Sequence, residues 1–233
     1  MKRFTLVAGI LAMTAGVALA GTPTIDGSFD GESVWGPAIA TNSTPGFSDA
    51  GTTATALYVT DDANYVYFGA SVTGLLSWMT YGFVIDARAG GTNSQDTWSR
   101  QILYAFSSAT GFDEPEFDIR GKADNEWAER HEWDGSSWQG FGTNIITAGD
   151  AAASDSNGFI ECRIAKSVLN MRSSKQGRVE FFLTGDHNEH GLFTSVPYDT
   201  PCTAWDNTGN PQSLTNPASS VSLPVSLSSF TIE

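Results

Sequence analysis

Tryptophan, carboxylate and imidazole side chains alternate along one short stretch near the middle of the chain. Alternate side chains of an extended strand lie on the same face, so this stretch would present them as one stripe. Its members are Trp127, Glu129, His131 and Trp133. Aromatic rings stack on the flat C–H faces of sugars, while carboxylate and imidazole groups form hydrogen bonds with hydroxyls. We therefore interpret the stripe as a glycan-binding surface.

A structural role for the same residues is the alternative. Trp127 and Trp133 could be core residues, with Glu129 and His131 at the margin of a sheet, because burial is the commoner fate of tryptophan. A wholly buried face would not tolerate an unpaired Glu129, which favours a strand that faces a groove. Trp138 should lie near Trp133, because the Asp-Gly pair between them favours a tight turn.

The remaining tryptophans are assigned by their neighbours in the sequence. Trp78 and Trp98 lie in predicted loops that border strands, and both are further candidates for ligand contact. Trp35 is predicted to fill the core. Trp205 lies in a stretch rich in Pro and Asn, where it could be exposed or packed beside Cys202.

The densest polar cluster follows a strong predicted strand and has the sequence Asp-His-Asn-Glu-His. Asp186, His187 and Glu189 are its candidate metal ligands. Oxygen-rich loops hold Ca²⁺, and two histidines could take a transition metal. The spacing matches no EF-hand loop, so a solvated loop without metal is the alternative.

The N-terminus has the pattern of an export signal. Lys2 and Arg3 precede an apolar run over residues 4–17, and Ala18-Leu19-Ala20 provides the small residues that signal peptidase accepts. We expect cleavage after Ala20 and a secreted protein, extracellular or periplasmic. A short membrane anchor is the alternative, although the run is short for a membrane span.

The two cysteines of the chain, Cys162 and Cys202, are predicted to form one disulfide. An even cysteine count in an exported chain favours such a bond. On the chain-entropy model, closing this loop would stabilise the fold by roughly 3–4 kcal/mol.

Composition and motifs exclude several classes of function. The 233 residues are 40% hydrophobic and have a net charge of −14, which disfavours nucleic acid and anionic membranes as partners. The chain contains no GxSxG, HExxH or phosphate-binding glycine loop. A cluster of acids, namely Asp113, Glu114, Glu116 and Asp118, could hydrolyse glycosides only within a defined site. We therefore predict a non-catalytic protein.

Many short β-rich runs are separated by Gly, Asp and Ser turns along the chain. This spacing predicts an all-β sandwich. Residues 57–60 and 65–72 flank an Asp/Asn turn and predict a hairpin. The pattern is helical over Ala165 to Met171, which predicts one short helix, and Val225 to Ile232 alternates as a last strand.

Four ordered segments resemble domains of the carbohydrate-binding module family 9-like, or DOMON-like, type. They are Thr24–Asp30 with Trp35 and Ala38, Leu57–Phe68, Tyr81–Asp86, and Gly158–Ala165 with Val168-Leu169. The resemblance spans about residues 22–198 and departs from the pattern at Cys162. It implies an immunoglobulin-like or jelly-roll β-sandwich that binds sugars or, in some branches, haem. Such domains often accompany catalytic domains, so an enzyme or a cell-surface component is an expected partner.

The domain organisation predicted is a signal peptide over 1–20, the sandwich over 21–199 and a loop-rich segment over 200–233. The segment Leu223–Thr231 is similar to a strand that precedes the sorting regions of secreted Bacteroidetes-type proteins, although it could be an ordinary edge strand. The function predicted is glycan or polysaccharide binding. A structural or adhesive protein is the alternative, and a haem domain with Met79, Met171 or His131 as ligands is a further one.

Overall fold

Strands make up nearly all the regular structure of the chain. The computed structural model describes residues 21–107, 114–140, 142–171 and 177–219, and the predicted signal peptide and last strand lie outside these ranges. In chain order the strands are β1 Ala40–Thr41, β2 Thr53–Asp61, β3 Tyr65–Thr73, β4 Thr80–Asp86, β5 Ser94–Gln95, β6 Ile102–Tyr104, β7 Phe117–Lys122, β8 Ala128–Trp133, β9 Trp138–Gly140, β10 Ala151–Ser154, β11 Phe159–Ala165, β12 Arg178–Thr184, β13 Thr194–Val196, β14 Gln212–Leu214 and β15 Ala218–Ser219. Two four-residue helices, α1 Glu32–Trp35 and α2 Lys166–Leu169, complete the elements of the described residues.

Two antiparallel sheets enclose the main apolar core. The first sheet has the order β1-β2-β3-β11-β10, and the second has the order β13-β12-β4-β7-β8-β9, with β15 beside β12. Alternate residues of both sheets point into the core, among them Leu57 and Phe68 from the first and Phe83 and Phe181 from the second. The prediction of an all-β sandwich is confirmed, and α2 is the short helix that was expected.

Each sheet is also covered on its outer face, the face turned away from the main core. On the second sheet, Val84 and Phe182 pack against a small third sheet of order β14-β6-β5, which contributes Tyr104 and Leu214. On the first sheet, the N-terminal segment inserts Trp35, which is buried as predicted (exposed fraction 1%) but lies in a separate cluster outside the main core. Because both faces are covered, β4 and β12 are buried at every residue instead of alternating.

Side chains of aspartate fix the two predicted hairpin turns. Asp62 accepts hydrogen bonds from the backbone N–H groups of Asn64 (2.7 Å) and Tyr65 (2.8 Å) between β2 and β3. Asp134 does the same between β8 and β9, where Trp133 pairs with Trp138. These bonds hold the backbone in the turn, which is why short aspartate motifs predicted both hairpins correctly.

The predicted disulfide is wrong: Cys162 and Cys202 are both free and buried. Cys162 lies on β11, where it faces the core between the two main sheets. Cys202 lies after β13, packed beside Gly191, and its backbone N–H donates to Leu192 at 2.7 Å. Burial raises the pKa of Cys202 to about 11, so the thiol is protonated at neutral pH.

Candidate functional site

The outer face of β7 and β8 has an unusual concentration of charged side chains. Asp118 pairs across the strands with His131, and Arg120 pairs with Glu129. All four side chains lie on the same outer face, because they occupy alternate positions of neighbouring strands. The segment between β5 and β6 covers them and brings Trp98 to the same place. Alternation along β8 thus predicted the shared face of Glu129 and His131 correctly.

Glu129 is the point at which two of the predicted ligand residues meet. The indole N–H of Trp98 donates to Oε1 of Glu129 at 2.7 Å, and Nε2 of His131 lies 3.1 Å from the same oxygen. These contacts provide the partners that a mostly buried carboxylate needs. They also fix the orientation of the Trp98 ring.

A network of buried charged side chains lies beneath this surface. Nε of Arg120 lies 2.9 Å from Oδ1 of Asp96, and both side chains are fully buried. The Tyr104 hydroxyl oxygen lies 2.8 Å from Oδ1 of Asp96 and 2.6 Å from Oδ2 of Asp118. The hydroxyl has one proton and can donate to one carboxylate at a time. Burial raises the pKa of Asp118 to about 6, although the nearby Arg120 opposes the shift.

Positively charged side chains stack on the Trp98 ring. The Arg120 guanidinium lies 5.0 Å from the ring centroid, and that of Arg100 lies 5.9 Å from it. Arg100 also donates to the backbone oxygens of Gly185 (3.1 Å) and Asp186 (2.8 Å). Ser99, which lies between Trp98 and Arg100, has φ 61, a left-handed conformation that few residues other than glycine adopt. The loop therefore holds Trp98 in one position.

An open groove runs over this surface, and we call it the Trp98 groove. It has a volume of about 630 Å³ and is lined by Trp98, Arg100, Lys122, Glu126, Trp127 and Glu129. Lys122 and Glu126 form an ion pair at its rim. Two partly buried indoles therefore share one open space with cationic and anionic groups.

The structure separates Trp133 and Trp138 from the Trp98 groove. Their ring centroids are 5.9 Å apart, as the predicted hairpin requires, but both lie at the opposite end of β8. The indole N–H of Trp138 donates to Oγ of Ser94 at 2.8 Å, and its ring packs edge-on against Tyr104. Trp138 thus packs against the third sheet. Within the predicted stripe, Trp127 and Glu129 therefore line the groove, whereas Trp133 lies outside it and packs against Trp138.

The proposed metal ligands contact each other in the loop between β12 and β13. Nδ1 of His187 lies 3.3 Å from Glu189, and Nε2 lies 3.6 Å from Asp186. Within the described ranges, no group of three or more His, Cys, Asp and Glu side chains is arranged to hold a metal ion. The geometry gives the predicted calcium or transition-metal site no support.

The residues considered for haem and for catalysis lie in separate places. Met79 is fully buried in the main core, whereas His131 lies on the outer face of the second sheet, so the two cannot ligate one iron. Glu116 accepts the backbone N–H of Ala87 at 2.8 Å and stabilises the chain after β4. Asp113 lies outside the described residues.

In the part of the chain that the structure describes, no helix has the length and hydrophobicity of a membrane span.

Sequence reasoning missed the residues that position the groove. Asp96 and Arg100 lie in an irregular segment, and Tyr104 resembled an ordinary strand residue. A sequence clue was present in β7, where Asp118 and Arg120 alternate with the apolar Phe117 and Ile119. Charged groups at alternate positions of a strand indicate a face that is either exposed or paired.

Comparison of the chain with protein-family models, with curated proteins and with solved structures finds no match. The family resemblance of the sequence motifs therefore stays a prediction.

Proposed function

We propose that this chain is a secreted, non-catalytic carbohydrate-binding module that binds glycan in the Trp98 groove. The observation that supports this most directly is the joint presence of Trp98 and Trp127 in one open groove with Arg100, Lys122 and Glu129. Indole faces suit the C–H faces of sugar rings, and the charged groups around them suit hydroxyls.

The fixed orientation of the Trp98 ring is a second argument. Its N–H is bonded to Glu129, and Arg120 and Arg100 stack on the ring. A ring held in place before binding loses little conformational entropy when a ligand stacks on it.

The overall charge favours a neutral ligand. The chain has a net charge of −14, which repels anionic partners. At the groove itself, Lys122 is paired with Glu126, and Glu129 bonds Trp98 and His131. A neutral, hydroxyl-rich ligand can accept and donate hydrogen bonds here without unbalancing the charges.

The test is retention of the purified protein on cellulose, xylan, mannan, chitin and β-1,3-glucan, together with a glycan array. We expect Trp98→Ala and Trp127→Ala each to weaken binding about ten-fold or more, because each truncation removes a stacking surface. Trp133→Ala is the matched control, since it removes a tryptophan side chain at the opposite end of β8, outside the groove. Far-UV circular dichroism and urea unfolding verify that each variant is folded.

Two results would contradict the proposal. One is a folded wild-type protein that binds no member of the panel. The other is equal loss of binding in the Trp133→Ala control and the groove variants, which would place the ligand elsewhere or show a general effect on the fold.

A further inference from the structure

Two tryptophans outside the Trp98 groove expose their rings to solvent. Trp78, which lies between β3 and β4, has an exposed fraction of 37%, and Trp205, between β13 and β14, has one of 39%. Their ring centroids are 6.0 Å apart, and the planes are tilted by 50°. We call these two residues the aromatic pair.

Buried aromatic residues hold the aromatic pair in place. Phe193, which is fully buried, lies edge-on to Trp78 at 6.0 Å and to Trp205 at 5.5 Å. Phe47 lies edge-on to Trp205 at 5.0 Å, and His190 lies 5.8 Å from it. The two exposed rings therefore form a rigid surface, although they come from loops far apart in the sequence.

The aromatic pair and the Trp98 groove lie at the same end of the sandwich. Lys122, which lines the groove, pairs with Thr80 at the start of β4, only two residues after Trp78. The backbone N–H of Ala123 donates to the oxygen of Met79 at 2.9 Å. In the second sheet, β8 at the groove and β4, which follows Trp78, are separated by two strand spacings, or roughly 10 Å.

A shared loop connects the two surfaces. Arg100 in the groove donates to the oxygens of Gly185 and Asp186, and Nη1 lies 3.0 Å from Oδ1 of Asn188. His190, at the end of the same loop, contacts Trp205. This loop therefore contacts both the groove, through Arg100, and the aromatic pair, through His190.

We propose that the aromatic pair is a second stacking subsite, so that the ligand is a chain of linked sugars that extends from the Trp98 groove to Trp78 and Trp205. This inference rests on the proposed function and specifies its substrate class as a polysaccharide chain instead of a single terminal sugar. The polar loop between the subsites would contact hydroxyls of the intervening sugar units.

A second copy of this chain is a less suitable occupant of the aromatic pair. Stable protein interfaces bury about 1,200–2,000 Å² in total, far more than two half-exposed rings provide. Asp186 and Glu189 beside the pair are 46% and 42% exposed, and the whole chain is strongly acidic. Two copies would bring like charges together, whereas a neutral polysaccharide would not.

The experiment measures affinity as a function of ligand length by isothermal titration. The probes are cellohexaose, xylohexaose, mannohexaose, chitohexaose and laminarihexaose, each with its disaccharide. We expect the wild type to bind one of the hexasaccharides more tightly than its disaccharide. Trp205→Ala and Trp78→Ala should each lower hexasaccharide affinity about ten-fold more than disaccharide affinity. Trp205→Phe, which retains a ring, should recover most of the loss.

Trp98→Ala separates this inference from the proposed function, because it should weaken both ligand lengths equally. Tyr198→Ala is the matched control for an exposed aromatic residue, with an exposed fraction of 38%. If the wild type binds but length and the aromatic pair have no effect, the inference fails and the proposed function stands. If the wild type binds no probe, both fail. Light scattering that shows a dimer lost in Trp205→Ala would overturn the inference in favour of self-association.

Discussion

Glu161 on β11 should make the stability of this protein fall as the pH rises from acidic to neutral. Its side chain lies on the outer face of the first sheet, fully buried under the N-terminal segment. Oε1 accepts the backbone N–H groups of Asp26 (2.8 Å) and Gly27 (2.6 Å). Oε2 makes no hydrogen bond with any described residue. Burial is the largest influence and raises the pKa of Glu161 to about 7, although the two backbone N–H groups oppose it.

The direction follows from comparing the proton bound in the folded and unfolded chains. Between the ordinary pKa of 4.5 and a folded pKa of about 7, the folded protein binds the proton and the unfolded chain does not. The contribution of Glu161 to the free energy of unfolding is therefore full below about pH 4.5 and is lost as the pH rises to about 7. A shift of this size corresponds to about 3 kcal/mol in the free energy of unfolding.

The test is Glu161→Gln, which keeps an acceptor for the two N–H groups and cannot ionise. Urea unfolding followed by tryptophan fluorescence gives the free energy of unfolding of both proteins between about pH 4.5 and pH 8. We expect the stability of the variant relative to the wild type to rise by about 3 kcal/mol over this range. Any effect of the glutamine amide on stability that does not depend on pH cancels, because only the change with pH is compared. Asp118 and Glu180, whose pKa values burial also raises, titrate in both proteins and cancel too.

Glu32→Gln is the control for a general loss of negative charge, because Glu32 is exposed on α1. Its stability should follow that of the wild type at every pH. Parallel curves for the wild type and Glu161→Gln would refute the reasoning, since they would mean that this carboxyl binds its proton equally in both states.

Three further changes test other parts of the structure. Gly27→Ala should lower the free energy of unfolding by more than about 1 kcal/mol in urea, because Gly27 has φ 81 and an added Cβ would lie 2.9 Å from the Ala153 carbonyl carbon; an unchanged midpoint would contradict the close approach. Arg120→Met should lower the free energy of unfolding by about 3–5 kcal/mol, because it leaves the buried Asp96 carboxylate without its ion-pair partner. Adding Asp96→Asn to this variant should restore much of the loss, because it removes the unpaired charge. Thiol titration in denaturant without reductant should detect both cysteines, and a reductant should leave the melting temperature unchanged; an absence of titratable thiol would restore the disulfide.

The strands were predictable where the information was local. β2 and β3 follow each other across a turn that the Asp62 side chain fixes, so a few neighbouring residues determine the hairpin. The third sheet was not predictable in this way. Its strands have two or three residues, and β14 pairs in parallel with β6 from a distant part of the chain. Such pairing depends on tertiary contacts instead of local preference.

The candidate site was likewise predictable only where the information was local. Alternation along β8 placed Glu129 and His131 on one face, because a strand imposes that geometry. It could not show that the third sheet covers the end of β8 that holds Trp133 while the groove opens at the other end. The position of Trp98 depends on its loop, on Arg100 and on a left-handed Ser99, none of which has a periodic signature.

Two of the motifs that suggested the family resemblance contact each other in the folded chain. Asp26 and Gly27, from the opening motif, donate to Glu161, which lies in the later strand motif, and the Trp35 ring packs 5.6 Å from Phe159. These motif residues attach the N-terminal segment to the first sheet, so their pattern is explained by folding alone. The groove residues come from segments outside those motifs and lie on the other main sheet. Evidence for or against the proposed glycan binding must therefore come from the groove itself, and changes in the N-terminal contacts should alter stability without altering the groove.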